Sequence, residues 1–223
     1  MKVGVVAALQ TELKLTLGAL PSTPRAVGHL RFYESPPFVF VPGGVGSRPA
    51  AAATLLMADT FKPDAILSIG FCGALTDDLE TAELLLGGTT EHPADPALLS
   101  LAQAAAPKAR TAQVFTVPQV VVSKDEKREL ARKSGALIVD MEANAVAIAA
   151  KARGLPFLAV KTVIDTPSSP LASTYAGCWT VLKDLLRGSL MGMVYDSKRV
   201  KLASERLRDF FVALKDNLPA TSE

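Results

Sequence analysis

Acidic side chains stand at the ends of three apolar stretches of this 223-residue chain. Glu12 follows the first of them, Asp140 and Glu142 flank a methionine in "IVDMEANAVAIAA", and Asp165 ends "FLAVKTVID". A carboxyl group at the end of a buried strand loses water, which raises its pKa and lets it hold a proton for delivery. Asp165, at the end of a strongly apolar stretch, is therefore a candidate for proton transfer at the edge of a sheet.

Each acid also has a simpler structural explanation. Glu12 would open a helix, where a carboxylate is favourable to the helix dipole. Asp140 or Glu142 would cap the helix that follows, and Asp165 before Thr-Pro is an ordinary turn starter. Such a role explains a single acid, but two acids around one methionine exceed what a cap requires.

Two glycine-rich turns also follow apolar stretches. "VPGGVGSRPAAAA" holds Gly44, Gly46 and Arg48 and leads into a helix, so its amides could approach an anion or a ribose, with Arg48 adding charge. Pro49 stands where the dinucleotide fingerprint needs its third glycine, so this is not that motif. A tight packing turn explains the stretch at least as well.

The second turn, "SIGFCGAL", places glycines on both sides of Phe71 and Cys72, the second of them Gly73. Glycine there permits close approach of the backbone to a ligand, or equally a bulge or a bend.

Short β-rich runs alternate with helical ones as far as Asp165. Continuous apolarity predicts buried strands in a sheet covered on both faces, at residues 2–8, 38–44, 65–71, 83–88, 112–117, 136–141 and 156–164. Helical composition is found at residues 11–20, 47–61, 95–106, 125–134 and 142–154. We therefore predict an α/β fold with three αβα layers, followed by a helical C-terminal region at residues 173–190 and 196–217.

Composition limits the function. The net charge of +2, from 24 basic and 22 acidic side chains, gives no broad basic field, so nucleic acid is not expected as a partner. Length and the absence of a linker predict one domain over 1–223. Cys72 and Cys178 lie far apart without a CxxC spacing, which favours a reducing cytoplasm. No apolar run approaches the roughly 18 residues of a membrane span, and the two histidines stand outside the motifs, which argues against a metal site.

The motifs taken together resemble one family. In order, "MKVGVVAALQTEL", "GGVGSRPAAAATLL", "KPDAILSIGFCGAL", "VDMEANAVA" and "LPFLAVKTVIDTP" are similar to the purine nucleoside phosphorylase and nucleosidase superfamily, with methylthioadenosine/S-adenosylhomocysteine nucleosidases as the nearest branch. The resemblance covers residues 1 to about 167 and is weakest between 80 and 135. It implies a twisted mixed β-sheet, a homodimer, and cleavage of the N-glycosidic bond of an adenine-type purine nucleoside without a cofactor.

The resemblance also implies roles for matching positions. Glu12 would orient or deprotonate the attacking water, and Asp165 would protonate or hydrogen-bond N7 of the departing purine. Met141 would pack under the ribose, Glu142 would bind its hydroxyls, and Asp140 would support the pocket. The remaining substrate-binding candidates are Ala8, Gly44, Gly46, Arg48, Phe71, Cys72, Gly73, Val120 and Val121.

This chain departs from the family pattern near the base. Ile164 stands where many members have serine, and Val120 lies near the place of an aromatic that stacks on adenine in relatives. The segment after "ELLLGGTTEHPAD", residues 83–95, is also shorter than the usual loop, so the mouth of the pocket would be more open and a bulkier substrate would fit. Base recognition therefore stays open.

The basic C-terminal helix has two interpretations. It can pack its Leu and Phe residues inward with a solvated basic face, or it can contact an anionic membrane surface. The hopanoid-associated phosphorylases resemble this chain in length and in such a tail, and that branch would imply removal of adenine from adenosylhopane.

The reaction class also has alternatives. Hydrolysis is favoured because Glu12 suits activation of water, whereas a phosphorylase would need inorganic phosphate as co-substrate and donors around it, for which only the turn with Arg48 is suggestive. A non-catalytic nucleoside-binding protein and a flavodoxin-like carrier or oxidoreductase are less favoured, because neither explains acids at three strand ends.

Overall fold

The computed structural model describes residues 1–170 and 197–219 of the chain. The strands are β1 Val3–Ala7, β2 Thr23–Val27, β3 Leu30–Ser35, β4 Phe38–Pro42, β5 Ala65–Ala74, β6 Leu84–Gly87, β7 Arg110–Thr111, β8 Val114–Thr116, β9 Ile138–Asp140 and β10 Phe157–Asp165. The helices are α1 Gln10–Ala19, α2 Ser47–Phe61, α3 Pro96–Ala105, α4 Lys124–Ser134, α5 Ala143–Lys151 and α6 Ser197–Asn217. The helix expected at residues 173–190, with Cys178, lies outside the described residues.

The strands form one mixed sheet in the order β2-β3-β4-β1-β5-β10-β6-β7, to which β9 adds through β5 and β8 through β9. The central pairs β4·β1, β1·β5 and β5·β10 are parallel, whereas β6 runs antiparallel to β10 and β9 antiparallel to β5. The parallel centre brings the carboxyl ends of β1, β5 and β10 to one edge.

Apolar residues on the two faces of the sheet pack against different helices. On one face, Val6 shares a buried cluster with Met57 of α2 and Val146 of α5. On the other face, Val5 clusters with Leu13 of α1 and with residues of α3 and α6. Successive side chains of β1 point to opposite faces of the sheet, so β1 contacts both helical layers. This arrangement confirms the predicted αβα architecture.

Local sequence signals account for several helix ends. Asp95 accepts hydrogen bonds from the amides of Ala97 and Leu98, both at 3.0 Å, and Pro96 occupies the first turn of α3. Ser123 accepts a hydrogen bond from the Glu126 amide at the start of α4, and Gly135 ends that helix in the left-handed conformation.

Helix α6 packs its apolar residues inward. Leu207, Phe210, Phe211 and Leu214 are buried, and the Phe211 ring meets Phe38 edge-to-face with centroids 5.3 Å apart. The apolar side of this basic helix therefore lies against the sheet and α1, as the first interpretation expected. Within residues 1–170 and 197–219, no helix is both long and apolar enough to cross a bilayer.

Three strands were not predicted. β2 and β3 form an edge hairpin in which the first strand is almost wholly exposed, and β7 is only two residues long. None of the three has the continuous apolar run on which the sequence prediction rested.

Candidate active site

The middle of β5 carries the residues around which the candidate site is built. β10 runs along one side of β5; on the other side β1 pairs with it as far as Ile69 and β9 begins at Gly73. Between those two partners, the Phe71 amide donates to Glu12 Oε1 over 2.8 Å. Because neither β1 nor β9 pairs with β5 at Phe71, the backbone amide of Phe71 is available to a carboxylate on that side.

Glu12 lies in the first turn of α1 and is buried. Its second oxygen, Oε2, accepts from the Leu9 amide over 2.8 Å. Burial raises the pKa of the Glu12 carboxyl above its ordinary value, while these amide hydrogen bonds act in the opposite direction. A buried carboxylate with a raised pKa is a stronger base towards water than an exposed one.

Gly70 makes room for Glu12. A β-carbon at Gly70 would lie 2.8 Å from Glu12 Cδ, and its φ of +140° is a conformation that other residues rarely adopt. The sequence leaves open whether glycine at this turn forms a bulge, a bend or a ligand contact. In the structure, Gly70 allows the Glu12 carboxylate to approach the strand closely.

Glu142 reaches across to the first glycine-rich turn. Its Oε1 accepts a 2.6 Å hydrogen bond from the Gly46 amide, and Ser47 Oγ donates to the Met141 carbonyl over 3.3 Å. Burial, reinforced by the neighbouring charge of Asp140, raises the pKa of Glu142 to about 7. Glu142 therefore does more than precede helix α5.

Asp140 both caps a helix and holds a buried cation. Its Oδ2 accepts from the Ala143 amide over 2.9 Å and lies 2.8 Å from Lys161 Nζ, while Oδ1 accepts from Thr116 Oγ1. Lys161 also donates to Ser68 Oγ over 3.2 Å. Desolvation lowers the pKa of the Lys161 ammonium, but the surrounding carboxylates, Asp140 foremost, outweigh it and raise the pKa.

Asp165 ends β10 beside β5. The register of the β10·β5 pair shifts between Val163 and Asp165, where a bulge sets Asp165 opposite Gly73. Lys127 Nζ of α4 donates to Asp165 Oδ2, and both side chains are buried. The sequence argument treated Asp165 as an isolated desolvated acid, whereas the structure pairs it with an ammonium.

The four acids thus lie along one short segment of sheet. Lys161 interacts electrostatically with Glu12, Asp140 and Glu142, and the buried thiol of Cys72 experiences the charges of Lys161, Asp140, Asp165 and Lys127. Acids that are far apart in the sequence are neighbours in the fold. In the part of the chain that the structure describes, no group of His, Cys, Asp and Glu side chains could hold a metal ion.

Comparison with known proteins places this arrangement in a family. A family model described as the phosphorylase superfamily matches residues 2–176. The chain belongs to the phosphorylase superfamily. It is an enzyme of the nucleosidase and nucleoside phosphorylase type.

Individual members of the phosphorylase superfamily are similar to this chain. A 5'-methylthioadenosine/S-adenosylhomocysteine nucleosidase of Staphylococcus aureus is 26% identical over 195 residues, which cover 73% of this chain and 86% of the relative. The S-adenosylhomocysteine nucleosidase of Streptococcus pyogenes, solved with 5-methylthiotubericidin, has a TM-score of 0.78 at 20% identity and covers 99% of this chain and 98% of its own. The futalosine hydrolase of Helicobacter pylori has a TM-score of 0.78 at 18% identity, with 98% of each chain covered.

The other residues predicted to bind substrate in this phosphorylase-superfamily chain lie in different surroundings. Ala8 and Gly44 join the ends of β1 and β4 through a 3.1 Å hydrogen bond from the Gly44 amide to the Ala8 carbonyl. Arg48 is exposed on the first turn of α2. Val120 and Val121 lie in the loop before α4, where Val121 packs with Leu75, Ala136 and Val139.

Two buried lysines of the site were missed from the sequence. Lys161 carries a usable signal, because a lysine in the middle of the apolar strand "FLAVKTVID" requires a buried partner. Lys127 carries none, because it stands among the charges of "KDEKRELARKS", which suggest a solvated helix.

Proposed function

We propose that this chain hydrolyses the N-glycosidic bond of an adenine-type purine nucleoside and releases the free base. The observation that carries the proposal is the placement of Glu12, Glu142 and Asp165 along a few residues of β5 and its neighbours, each held by its own hydrogen bonds.

The chemistry needs acids in this arrangement. Breaking the bond between the sugar and the purine builds positive charge on the ribose ring and negative charge on the base, so each needs an opposite partner. Glu12, buried and with a raised pKa, would take a proton from the attacking water. Glu142 would accept hydrogen bonds from ribose hydroxyls with Met141 beneath the sugar, while Asp165 would serve the departing purine.

Hydrolysis is favoured over phosphorolysis by the glycine-rich turn. The Gly46 amide donates to Glu142 Oε1 and the Gly44 amide to the Ala8 carbonyl, so amides that could have bound phosphate are already used. Arg48 points to solvent-exposed surface rather than being enclosed with the acids. Inorganic phosphate is therefore not part of the proposed reaction, and no cofactor is.

The adenine-type base is proposed from the relatives, several of which are nucleosidases of methylthioadenosine and S-adenosylhomocysteine. Val120 and Val121 would border the base in place of a stacking aromatic, which allows a wider range of 5'-substituents and bases. The proposed enzyme is a homodimer, on the family resemblance alone. It acts on a small nucleoside in the cytoplasm, which the spacing of the two cysteines favours.

The test is release of free base from a panel of adenosine, inosine, methylthioadenosine, futalosine and a lipid-linked adenine nucleoside. We expect adenine from at least one member of the panel, at a rate that depends on enzyme concentration. Binding of nucleosides without turnover of any of them would contradict the proposal and favour a binding protein.

A further inference from the structure

Lys161 is a charged side chain in the interior of the sheet. It lies in the middle of β10 and is 1% exposed, and the side chains of Ala159 and Val163, which point to the same face, belong to a buried apolar cluster. Across the β10·β5 pair, Lys161 stands opposite Gly70, the glycine that makes room for the Glu12 carboxylate. Since neighbouring strands lie about 4.8 Å apart, Lys161 is one strand away from the place where Glu12 approaches β5.

Two hydrogen bonds fix the ammonium group of Lys161. It lies 2.8 Å from Asp140 Oδ2 on β9 and donates to Ser68 Oγ on β5 over 3.2 Å. Asp140 is itself held, because it also accepts from the Ala143 amide and from Thr116 Oγ1. The positive charge is therefore anchored at one place among β5, β9 and β10.

The neighbourhood of Lys161 holds more acids than cations. Its titratable groups are, by element, Glu12 of α1, Cys72 of β5, Lys127 of α4, Asp140 of β9, Glu142 before α5 and Asp165 of β10. Lys127 is paired directly with Asp165. Within this group of residues, Lys161 is thus the cation for three carboxyl groups, of which Asp140 takes the direct contact.

The charge of Lys161 reaches the two glutamates as well. Burial raises the pKa of Glu12 and of Glu142, and the positive charge of Lys161 acts in the opposite direction on both. A buried charge is screened less by water and salt than an exposed one, so it acts beyond its hydrogen-bonded partner. Stability alone does not call for such a cation, because a buried ion pair loses about as much hydration energy as its attraction returns.

Resting on the proposed function, we propose that Lys161 is a positioning residue whose ammonium is the shared counter-charge that keeps Glu12 and Glu142 in their carboxylate forms. Asp140 and Ser68 hold this ammonium in place. As a carboxylate, Glu12 can take a proton from water, and Glu142 can accept hydrogen bonds from ribose hydroxyls. Lys161 acts through these two groups and gives up no proton itself.

The first experiment separates the charge of Lys161 from its hydrogen bonds. Lys161→Gln keeps side-chain donors for Asp140 and Ser68 but carries no charge, and Lys151→Met on α5 is an exposed control that should match the wild type. The measurement is kcat/KM against pH on the purine nucleoside that the wild type hydrolyses best. We expect the ratio of wild-type to Lys161→Gln values to be at least about tenfold larger near pH 6 than near pH 9, because a glutamate without its cation keeps a proton to higher pH. A ratio that is the same at every pH, as a merely structural loss would give, would overturn the proposal.

Lys161→Arg tests the charge from the other side. Its guanidinium stays positive, so we expect the wild-type dependence of kcat/KM on pH even where the rate itself is lower. A loss at low pH as large as that of Lys161→Gln would show that the positive charge is not what the site needs, and would overturn the proposal.

Titration of the Glu12 carboxyl by ¹³C NMR gives a readout that needs no turnover, with the Glu12 signal assigned from its absence in Glu12→Gln. The double variant Lys161→Met with Asp140→Asn leaves neither charge of the ion pair buried alone, which covers misfolding of Lys161→Gln. In either variant we expect Glu12 to titrate at higher pH than in the wild type, and titration at the wild-type pH in a folded variant would overturn the proposal. A wild type that releases no base from any nucleoside would instead refute the proposed function, while the titration would still decide the role of Lys161.

Discussion

Glu12 and Glu142 are both carboxylates with raised pKa values, but they are held differently. Glu12 is fixed by two backbone amides, one from β5 and one from its own helix start. Glu142 receives one amide hydrogen bond and the repulsion of a neighbouring acid. The first arrangement suits a base of fixed position, and the second suits a group that changes charge when substrate binds.

Replacement of Glu12 tests its role as base. Glu12→Gln keeps an oxygen for only one of the two backbone amides and removes the basic carboxylate, so we expect base release to fall about 100- to 10,000-fold. The thermal unfolding midpoint should also fall, because the new side-chain amide faces a buried backbone N–H. The exposed Glu91→Gln serves as the control. Turnover in Glu12→Gln equal to that of the wild type would show that another group activates water.

Glu142 makes stability depend on pH in a defined direction. Because its pKa in the folded protein is about 7 rather than the ordinary 4.5, its contribution to stability is present below about pH 4.5 and lost as pH rises through about 7. Glu142→Gln does not titrate, so the variant should gain on the wild type over this range, by a few degrees in Tm. Thermal unfolding from pH 4.5 to 8 measures this, and parallel Tm curves would disprove it.

Single residues also show what the sequence can and cannot indicate. Glu12, Glu142 and Asp165 stand out as candidates because acids that follow apolar strands are uncommon and these match a family pattern, and their catalytic and binding roles stay predictions. Lys127 does not stand out, because its burial depends on how α4 docks on the sheet rather than on its neighbours in sequence.

Among the elements, β5 organises the site because it extends beyond its pairing with β1 and pairs with β9 near its own end. Its glycines leave space for acids on either side, at Gly70 for Glu12 and at Gly73 for Asp165. Strand length and glycine placement together decide which acids can lie close to one another.

Substitution of Gly70 tests this arrangement. Gly70→Ala would force a β-carbon towards Glu12 at a φ of +140°, so we expect a loss of at least about 1 kcal/mol in unfolding free energy together with reduced turnover. In Gly18→Ala the new β-carbon meets nothing within 4 Å, and the change should be neutral or stabilising by up to about 1 kcal/mol. Chemical denaturation and base release are measured for both, and wild-type behaviour of Gly70→Ala would contradict the close approach.

Elements were predictable in proportion to their burial. β10, buried along its whole length, and α2, predicted with the bounds it has, carry strong apolar patterns. β2 and β3 do not, because β2 is almost wholly exposed and β3 buries only isolated residues such as Phe32 rather than a continuous apolar run.

For the molecule as a whole, α6 links the C-terminal region to the site. Arg199 donates to the Ser169 carbonyl over 2.9 Å and to Ser169 Oγ over 2.7 Å, which fixes the loop that follows Asp165. Arg199 belongs to the helix for which the sequence predicts a basic, solvated face, yet its guanidinium also forms hydrogen bonds within the protein.

Arg199 should accordingly affect catalysis from a distance. Arg199→Met would release the loop after Asp165, and misplacement of a catalytic group by about 1 Å can cost up to about 100-fold in rate. The exposed Lys201→Met on the same helix is the matched control. Base release is measured for both, and equal rates would show that the loop keeps its position without Arg199.

Cleavage of a purine nucleoside by water is the reaction that we propose for this chain. The most direct measurement is base release by the wild type in phosphate-free buffer and again with added inorganic phosphate, with the sugar product identified each time. We expect free base and free sugar in equal amounts at the same rate in both buffers. Base release only in the presence of phosphate, with sugar 1-phosphate as the product, would contradict it.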